Sequence, residues 1–338
     1  MGGPAVAPGR AKAARVGFWM RAALSFTPLP NGDRDMPAPF TTASHTRPCR
    51  FPLKPSAALG LAALAALALA GTAPAASAAT PPAVHQALET AIHGAWRTPS
   101  FVKRDPFRHP LQTLEFFGIR PDMRVIEVLP GGGWYTEILA PFLHDRGQLI
   151  EATSPAAGTT GWQHRSALQY SAKLAADPAV YGKVRLEPFE LPNYMHLGAP
   201  DSADMVVTFN NMHDLMFENV HHEVTPIFLE KFLRSAFDVL KPGGILGIAG
   251  HRCAPGTPVP ECFPWARLPE AFVIHEAQRA GFRLGGTSEA LANPKDPRNI
   301  PVFDLPPSLA DNSAAARKRY AGIGYADDYL LKFVKPAT

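Results

Sequence analysis

Three features of the chain predict an α/β fold with a mostly parallel sheet covered by helices on both faces. From residue 124 onward, short apolar runs alternate with amphipathic stretches, as strands do when crossover helices join them. The run VIEVLPGGGWYTE, residues 125–137, ends an apolar strand in an acid, adds a glycine cluster and opens a helix at once. Further along, SAFDVLKPGGILGIAG, residues 235–250, passes from a helix through a Lys-Pro-Gly-Gly turn into a new apolar strand.

The elements follow in order. LQTLEFFGI, residues 111–119, has apolar positions at helical spacing and stops at Gly118. Strands are predicted over residues 124–129, 148–153, 184–186, 205–209, 245–249, from 282, and over 328–334. Helices are predicted over residues 134–143, 163–175, 224–240 and 269–280. Residues 187–202 are too rich in Pro and Gly to promise a full helix.

Gly131, Gly132 and Gly133 permit positive φ and leave no side chain in the way of a ligand. The free N–H groups of the following helix, which opens with Trp134 and Tyr135, then face whatever lies above the strand end. A cofactor-binding turn is the functional reading. The spacing E-x-x-x-G-x-G, with Glu127, Gly131 and Gly133, together with the distant LKPGG turn, resembles the class I S-adenosylmethionine-dependent methyltransferases. More narrowly, RDPFRHP (residues 104–110), the GGGWYTEILAP run, the Asn211-x-His213-Asp214 turn, the His251-Arg252 pair and the closing strand resemble a family of secreted bacterial methyltransferases.

The resemblance implies a Rossmann-like seven-stranded class I methyltransferase sheet whose last strand inserts antiparallel beside the fifth. It implies S-adenosylmethionine as cofactor and a small-molecule acceptor. At the first-glycine position stands Leu129, followed by Pro130, which leaves the path of the turn open. The acid that holds the ribose in the family falls on Thr153; either Glu151, two residues earlier, does this work or the ribose is held weakly.

Ligands of open parallel sheets bind outside the carboxyl ends of the strands. After the fourth strand come Asn210, Asn211, His213 and Asp214, where His213 can act as general base with Asp214 orienting it. Asn210 can bond cofactor or acceptor. After the fifth strand come His251 and Arg252; Arg252 either clamps an anion bidentately or pairs with an acid of the domain. His221 and His222 read as helix-start residues, not as a metal pair, and no metal site is expected. Asp105, Arg108 and His109 form either a lid over the cofactor or an ordinary ion-paired strap.

Residues 56–70 form an apolar stretch preceded by Arg47, Arg50 and Lys54 and followed by small residues at Ala76 and Ala78, the order of a secretory signal peptide. Residues 1–35 are read as an over-called start before Met36, residues 36–78 as the signal, residues 79–110 as an N-terminal extension, and residues 111–338 as the methyltransferase-like domain. The leader holds 8 basic and 2 acidic residues, so the remainder carries 25 against 27, a net of −2. No basic stripe survives, and nucleic acid is excluded as a partner. The expected product is a periplasmic or secreted monomer without stable membrane insertion, which needs the cytoplasmic cofactor delivered or acts before export. Cys253 and Cys262 form a local disulfide or remain two free thiols. A non-catalytic exported protein that keeps the fold as a ligand-binding module is the alternative. A nicotinamide-dependent oxidoreductase ranks last, since the glycine pattern is not G-x-G-x-x-G.

Overall fold

The sheet is assembled from strands whose alternate side chains feed two separate cores. The computed structural model describes residues 80–157, 161–310 and 313–337, so the readings of residues 1–35 as an over-called start and of residues 36–78 as a signal peptide lie outside the described residues. In chain order, short helices α1 (Pro82–Ile92), α2 (Pro99–Val102), α3 (Asp105–Arg108) and α4 (Pro110–Phe117) precede β1 (Arg124–Val128), α5 (Thr136–Leu143) and β2 (Gln148–Thr153). Then come α6 (Gly161–Ala176), α7 (Pro178–Tyr181), β3 (Arg185–Pro188), β4 (Ala203–Phe209), and the short hairpin β5 (Phe217–Glu218) and β6 (Val224–Thr225). The chain closes with α8 (Ile227–Val239), β7 (Leu240–His251), α9 (Val259–Cys262), α10 (Glu270–Arg279), β8 (Arg283–Ser288), α11 (Ala314–Ile323) and β9 (Asp328–Val334).

The main sheet runs β3-β2-β1-β4-β7-β9-β8, with β9 antiparallel to both of its neighbours and the other pairings parallel. This is a Rossmann-like seven-stranded sheet, with the last strand antiparallel as expected. Because strand side chains alternate, Val125, Leu149, Met205 and Val207 pack on α1, α4 and α5, while Ile126, Ile150, Val206 and Leu246 pack on α8 and α10. The strand order reverses at β1, which lies between β2 and β4, so helices diverge to opposite faces there and leave a crevice above the strand ends.

Several boundaries differ from the sequence reading. The first crossover helix starts at Thr136, because Trp134 and Tyr135 continue the glycine turn. The long helix starts at Ile227; Val224 and Thr225 pair with the strand before them instead. His221 and His222 therefore sit in the tip of that hairpin, not at a helix start, and His222 Nδ1 lies 2.8 Å from Glu218 Oε1. The Lys-Pro-Gly-Gly turn is absorbed into β7 as an irregularity, with Gly243 at φ +78° donating to Lys335 O.

Cys253 and Cys262 are joined in a disulfide that ties the loop after β7 to α9. Residues 80–110 belong to the same compact unit as the sheet. Leu88, Ala91 and Ile92 of α1 are core residues, and Arg97 is buried against Glu137.

Candidate functional site

The turn after β1 keeps the left-handed backbone that glycines usually supply. Leu129, Gly131 and Gly133 have φ of +57°, +58° and +81°. Leucine in this conformation carries steric strain of about 1–3 kcal/mol, so its surroundings must hold it there. They do so with bonds on both sides: Leu129 N donates to Ala152 O at 2.9 Å, and Asn211 Nδ2 donates to Leu129 O at 2.9 Å. Leu129 thus takes a left-handed conformation at the position where the resemblance expects a glycine. Above Gly131 there is open space, whereas a Cβ on Gly133 would stand 2.8 Å from the Tyr170 ring.

Trp134 and Tyr135 are buried. Trp134 Nε1 donates to Phe101 O at 2.9 Å, and the Tyr135 ring stacks on Phe209 with centroids 3.4 Å apart. Both form the support of the turn, joining it to the N-terminal extension and to the end of β4.

Glu127 and Glu151 face each other across the β1–β2 register, and both are fully enclosed. Thr136 Oγ1 donates to Glu127 Oε2 at 3.3 Å and lies 2.8 Å from the Tyr170 hydroxyl. The two carboxyl groups meet each other, with the Thr136 and Tyr170 hydroxyls beside them. Burial raises both carboxyls, and the charge of Glu127 raises Glu151 further, so the pair favours holding a proton. Thr153 stands half-buried at the end of β2, one pleat above Glu151.

At the ends of β4, β7 and β9 the structure gathers a polar cluster. His251 Nδ1 lies 2.6 Å from Asp328 Oδ1, and Asn210 Nδ2 donates to Asp328 Oδ2 at 3.1 Å. The His213 and His251 rings are 5.7 Å apart. Burial lowers the His213 pKa below its ordinary value, against the opposing charge of Asp214. Asp214 is mostly exposed and 3.4 Å from His213 Nε2. The shorter imidazole–carboxylate contact of the cluster is that of Asp328 with His251, a pairing that sequence reasoning missed. Its sequence neighbourhood, an acid opening the last strand, gave the only signal: the antiparallel insertion sets His251 opposite Asp328. Asn211, which bonds the carbonyl of Leu129, was likewise not assigned that support.

Arg252 lies at the same strand end but its guanidinium is taken up. It meets Glu289 at 2.8 and 3.0 Å, Glu270 at 3.1 Å and Asp327 at 3.3 Å. Burial opposes its charge, and these acids outweigh that cost and raise its pKa. Of the two readings of Arg252, the structure displays the pairing with acids of the domain.

The extension crosses above α5. Arg97 donates to Glu137 Oε2 at 3.2 Å and to Asp105 Oδ1 at 2.9 Å, and Thr98 donates twice to Glu137. Lys173 Nζ reaches Glu137 Oε1 at 2.5 Å. Burial alone would raise the Glu137 carboxyl; the bonds from Lys173 and Thr98 overcome it and hold the group low. Arg108 lies over the Trp134 ring at 4.9 Å, beside the glycine turn. His109 takes a left-handed φ of +39° between α3 and α4.

No family model matches the chain, and no curated protein matches it. Among solved structures it is similar to a SAM-dependent methyltransferase from Aquifex aeolicus, with 17% identity over 74% of this chain and 98% of that one and a TM-score of 0.43. It is also similar to an arsenic(III) S-adenosylmethionine methyltransferase from Chlamydomonas reinhardtii, with 18% identity over 76% of this chain and 74% of that one and a TM-score of 0.40.

Proposed function

We propose that the protein transfers a methyl group from S-adenosylmethionine to a small-molecule acceptor. The observation that carries this reading is the turn of Leu129, Gly131 and Gly133, held left-handed at the β1 switch point with open space over Gly131. Thr153, half-buried at the end of β2, is the residue of that strand placed to meet a ligand hydroxyl, while Glu151 is enclosed beneath it with Glu127.

When bound, the cofactor supplies a methyl group already activated by its sulfonium. The chain's own part is to position the acceptor and to handle its proton. With Asp328 holding Nδ1–H, the His251 Nε2 lone pair accepts a proton from an acceptor hydroxyl or amine, and Asp328 stabilises the imidazolium that results. Asn210, bonded to the other Asp328 oxygen, keeps that carboxylate fixed. His213, kept neutral by burial, lines the same end of the crevice. Positioning provides most of the acceleration.

The proposal extends to an exported monomer cleaved after Ala78; N-terminal sequencing of the processed protein checks it, with Ala79 as the expected first residue. Calorimetry of the full chain with S-adenosylmethionine and S-adenosylhomocysteine tests the activity. Binding of both at about micromolar levels is expected, and no binding of either at about millimolar levels sinks the methyl-transfer reading.

A further inference from the structure

After β8 the chain is clamped to the domain by buried groups, and one apolar side chain is left outside the clamp. Arg267 and Asp296, both enclosed, meet at 2.8 Å, and Arg267 Nε donates to Ile300 O at 2.9 Å. The turn that follows, Val302–Asp304, sinks Val302 into the domain, as does Leu305 just after it. Phe303 between them is turned out and 47% exposed, while its carbonyl accepts from Ala310 N at 2.8 Å. A single exposed phenylalanine is ordinary on a protein surface; its neighbours make this one informative.

Those neighbours are the histidines of the candidate site. The Phe303 ring stands edge-on to His213, with centroids 6.5 Å apart and planes at 73°. His213 in turn lies 5.7 Å from His251, so His251, His213 and Phe303 form a row of rings that starts at the Asp328 contact and ends in solvent. Burial favours the neutral form of His213, which therefore presents an uncharged ring. An aliphatic ligand gains only its apolar area on such a row, whereas a flat aromatic ring also meets the edges and faces of these rings. The base at the head of the row sets a second requirement. An imidazole, ordinarily near about 6.5, takes a proton readily from a phenolic hydroxyl near about 10, and far less readily from a water-like hydroxyl near about 15.7.

We propose that Phe303 selects the acceptor: a flat aromatic ring bearing a hydroxyl packs against Phe303 and His213 and donates a hydrogen bond from that hydroxyl to His251 Nε2. What becomes of the hydroxyl rests on the methyl-transfer reading above; the binding of the ring does not. Phe303 is thus a specificity residue, and His251 is the group that meets the reacting oxygen.

The test titrates the full chain with 2-naphthol and with its saturated counterpart, decahydro-2-naphthol, for the parent, Phe303→Leu and Phe303→Tyr. The saturated compound is at least as apolar, so a merely apolar cover does not favour 2-naphthol. The parent is expected to bind 2-naphthol about threefold or more tightly than the saturated compound, with the His213 and His251 ring signals moving in nitrogen-15 NMR. Phe303→Leu keeps an apolar side chain without a ring. It is expected to lose about three- to tenfold in affinity for 2-naphthol and less than about twofold for the saturated compound, while Phe303→Tyr retains the parent's preference. Equal loss for both compounds, no loss, or 2-naphthol binding that leaves the histidine signals still, overturns the proposal and makes Phe303 a cover for His213. Failure of the parent to prefer 2-naphthol, or to bind it with or without S-adenosylhomocysteine, overturns it as well. S-adenosylhomocysteine is also titrated alone. Its binding without 2-naphthol binding removes this proposal and keeps methyl transfer; Phe303-dependent binding of 2-naphthol without S-adenosylhomocysteine binding removes methyl transfer and keeps the aromatic site.

Discussion

Asp328 divides its carboxylate between two partners, holding His251 Nδ1 at 2.6 Å with one oxygen and Asn210 Nδ2 at 3.1 Å with the other. The ring is thereby fixed in the tautomer whose Nε2 is free to accept a proton. Asp328→Asn is expected to mix the His251 tautomers, visible by nitrogen-15 NMR of the histidine rings. With an acceptor that must lose a proton, turnover falls by about 10²- to 10⁴-fold while S-adenosylhomocysteine affinity is kept. An unchanged ring spectrum and rate would show that Asp328 does not govern His251.

The enclosed Glu127–Glu151 pair makes stability depend on pH. Burial raises Glu127 from 4.5 in the unfolded chain to about 7, with Glu151 raised too, so the folded state binds more protons across that window. Stability is therefore full below about 4.5, declines as pH rises toward 7, and stays reduced above it. Glu151→Gln removes one of the two ionisable groups. It is expected to gain about 1–3 kcal/mol at pH 8 and little at pH 5, measured by urea unfolding at both. An equal effect at the two values contradicts the shared proton.

Gly131 and Gly133 separate binding from folding. Both have positive φ, but only Gly133 is crowded by Tyr170. Gly133→Ala is expected to cost about 2–4 kcal/mol of stability, from backbone strain plus overpacking. Gly131→Ala costs about 1 kcal/mol yet weakens S-adenosylhomocysteine by about tenfold or more, because its new methyl enters the open face. Equal binding by Gly131→Ala and the parent would place the ligand elsewhere.

Arg97 fastens the extension to the domain through Glu137 and Asp105. Replacing it with Met leaves Glu137 buried beside Lys173 alone among its cations, and is expected to destabilise the protein by about 3 kcal/mol. Limited proteolysis should then cut first within residues 93–110. A cleavage pattern like the parent's would mean the extension is anchored by α1 packing instead.

The Cys253–Cys262 bridge closes a loop with a sequence separation of 9. Its removal by paired Cys→Ser substitution is expected to lower stability by about 2–3 kcal/mol, read from the denaturation midpoint with and without reductant.

The strand pattern, the glycine turn and the Lys-Pro-Gly-Gly segment were legible because each is a local signal, set by side-chain alternation and backbone freedom. Asp328 was not, since its value comes from a strand 77 residues beyond His251 that inserts between β7 and β8. Arg252 sits at the expected strand end, but its acids, Glu270, Glu289 and Asp327, come from three other segments, and only their packing shows that the charge is spent.

The sequence by itself determined the order of strands and helices and marked the turn from Leu129 to Gly133 as the place for a ligand, because periodicity and φ preferences act within a few residues. Tertiary structure alone decided that Leu129 adopts the left-handed turn, that Glu127 and Glu151 are enclosed together, and that the charge of Arg252 is matched by Glu270, Glu289 and Asp327. Those outcomes depend on which distant groups share a low-dielectric space, and burial and charge pairing are properties of that space, not of any one segment.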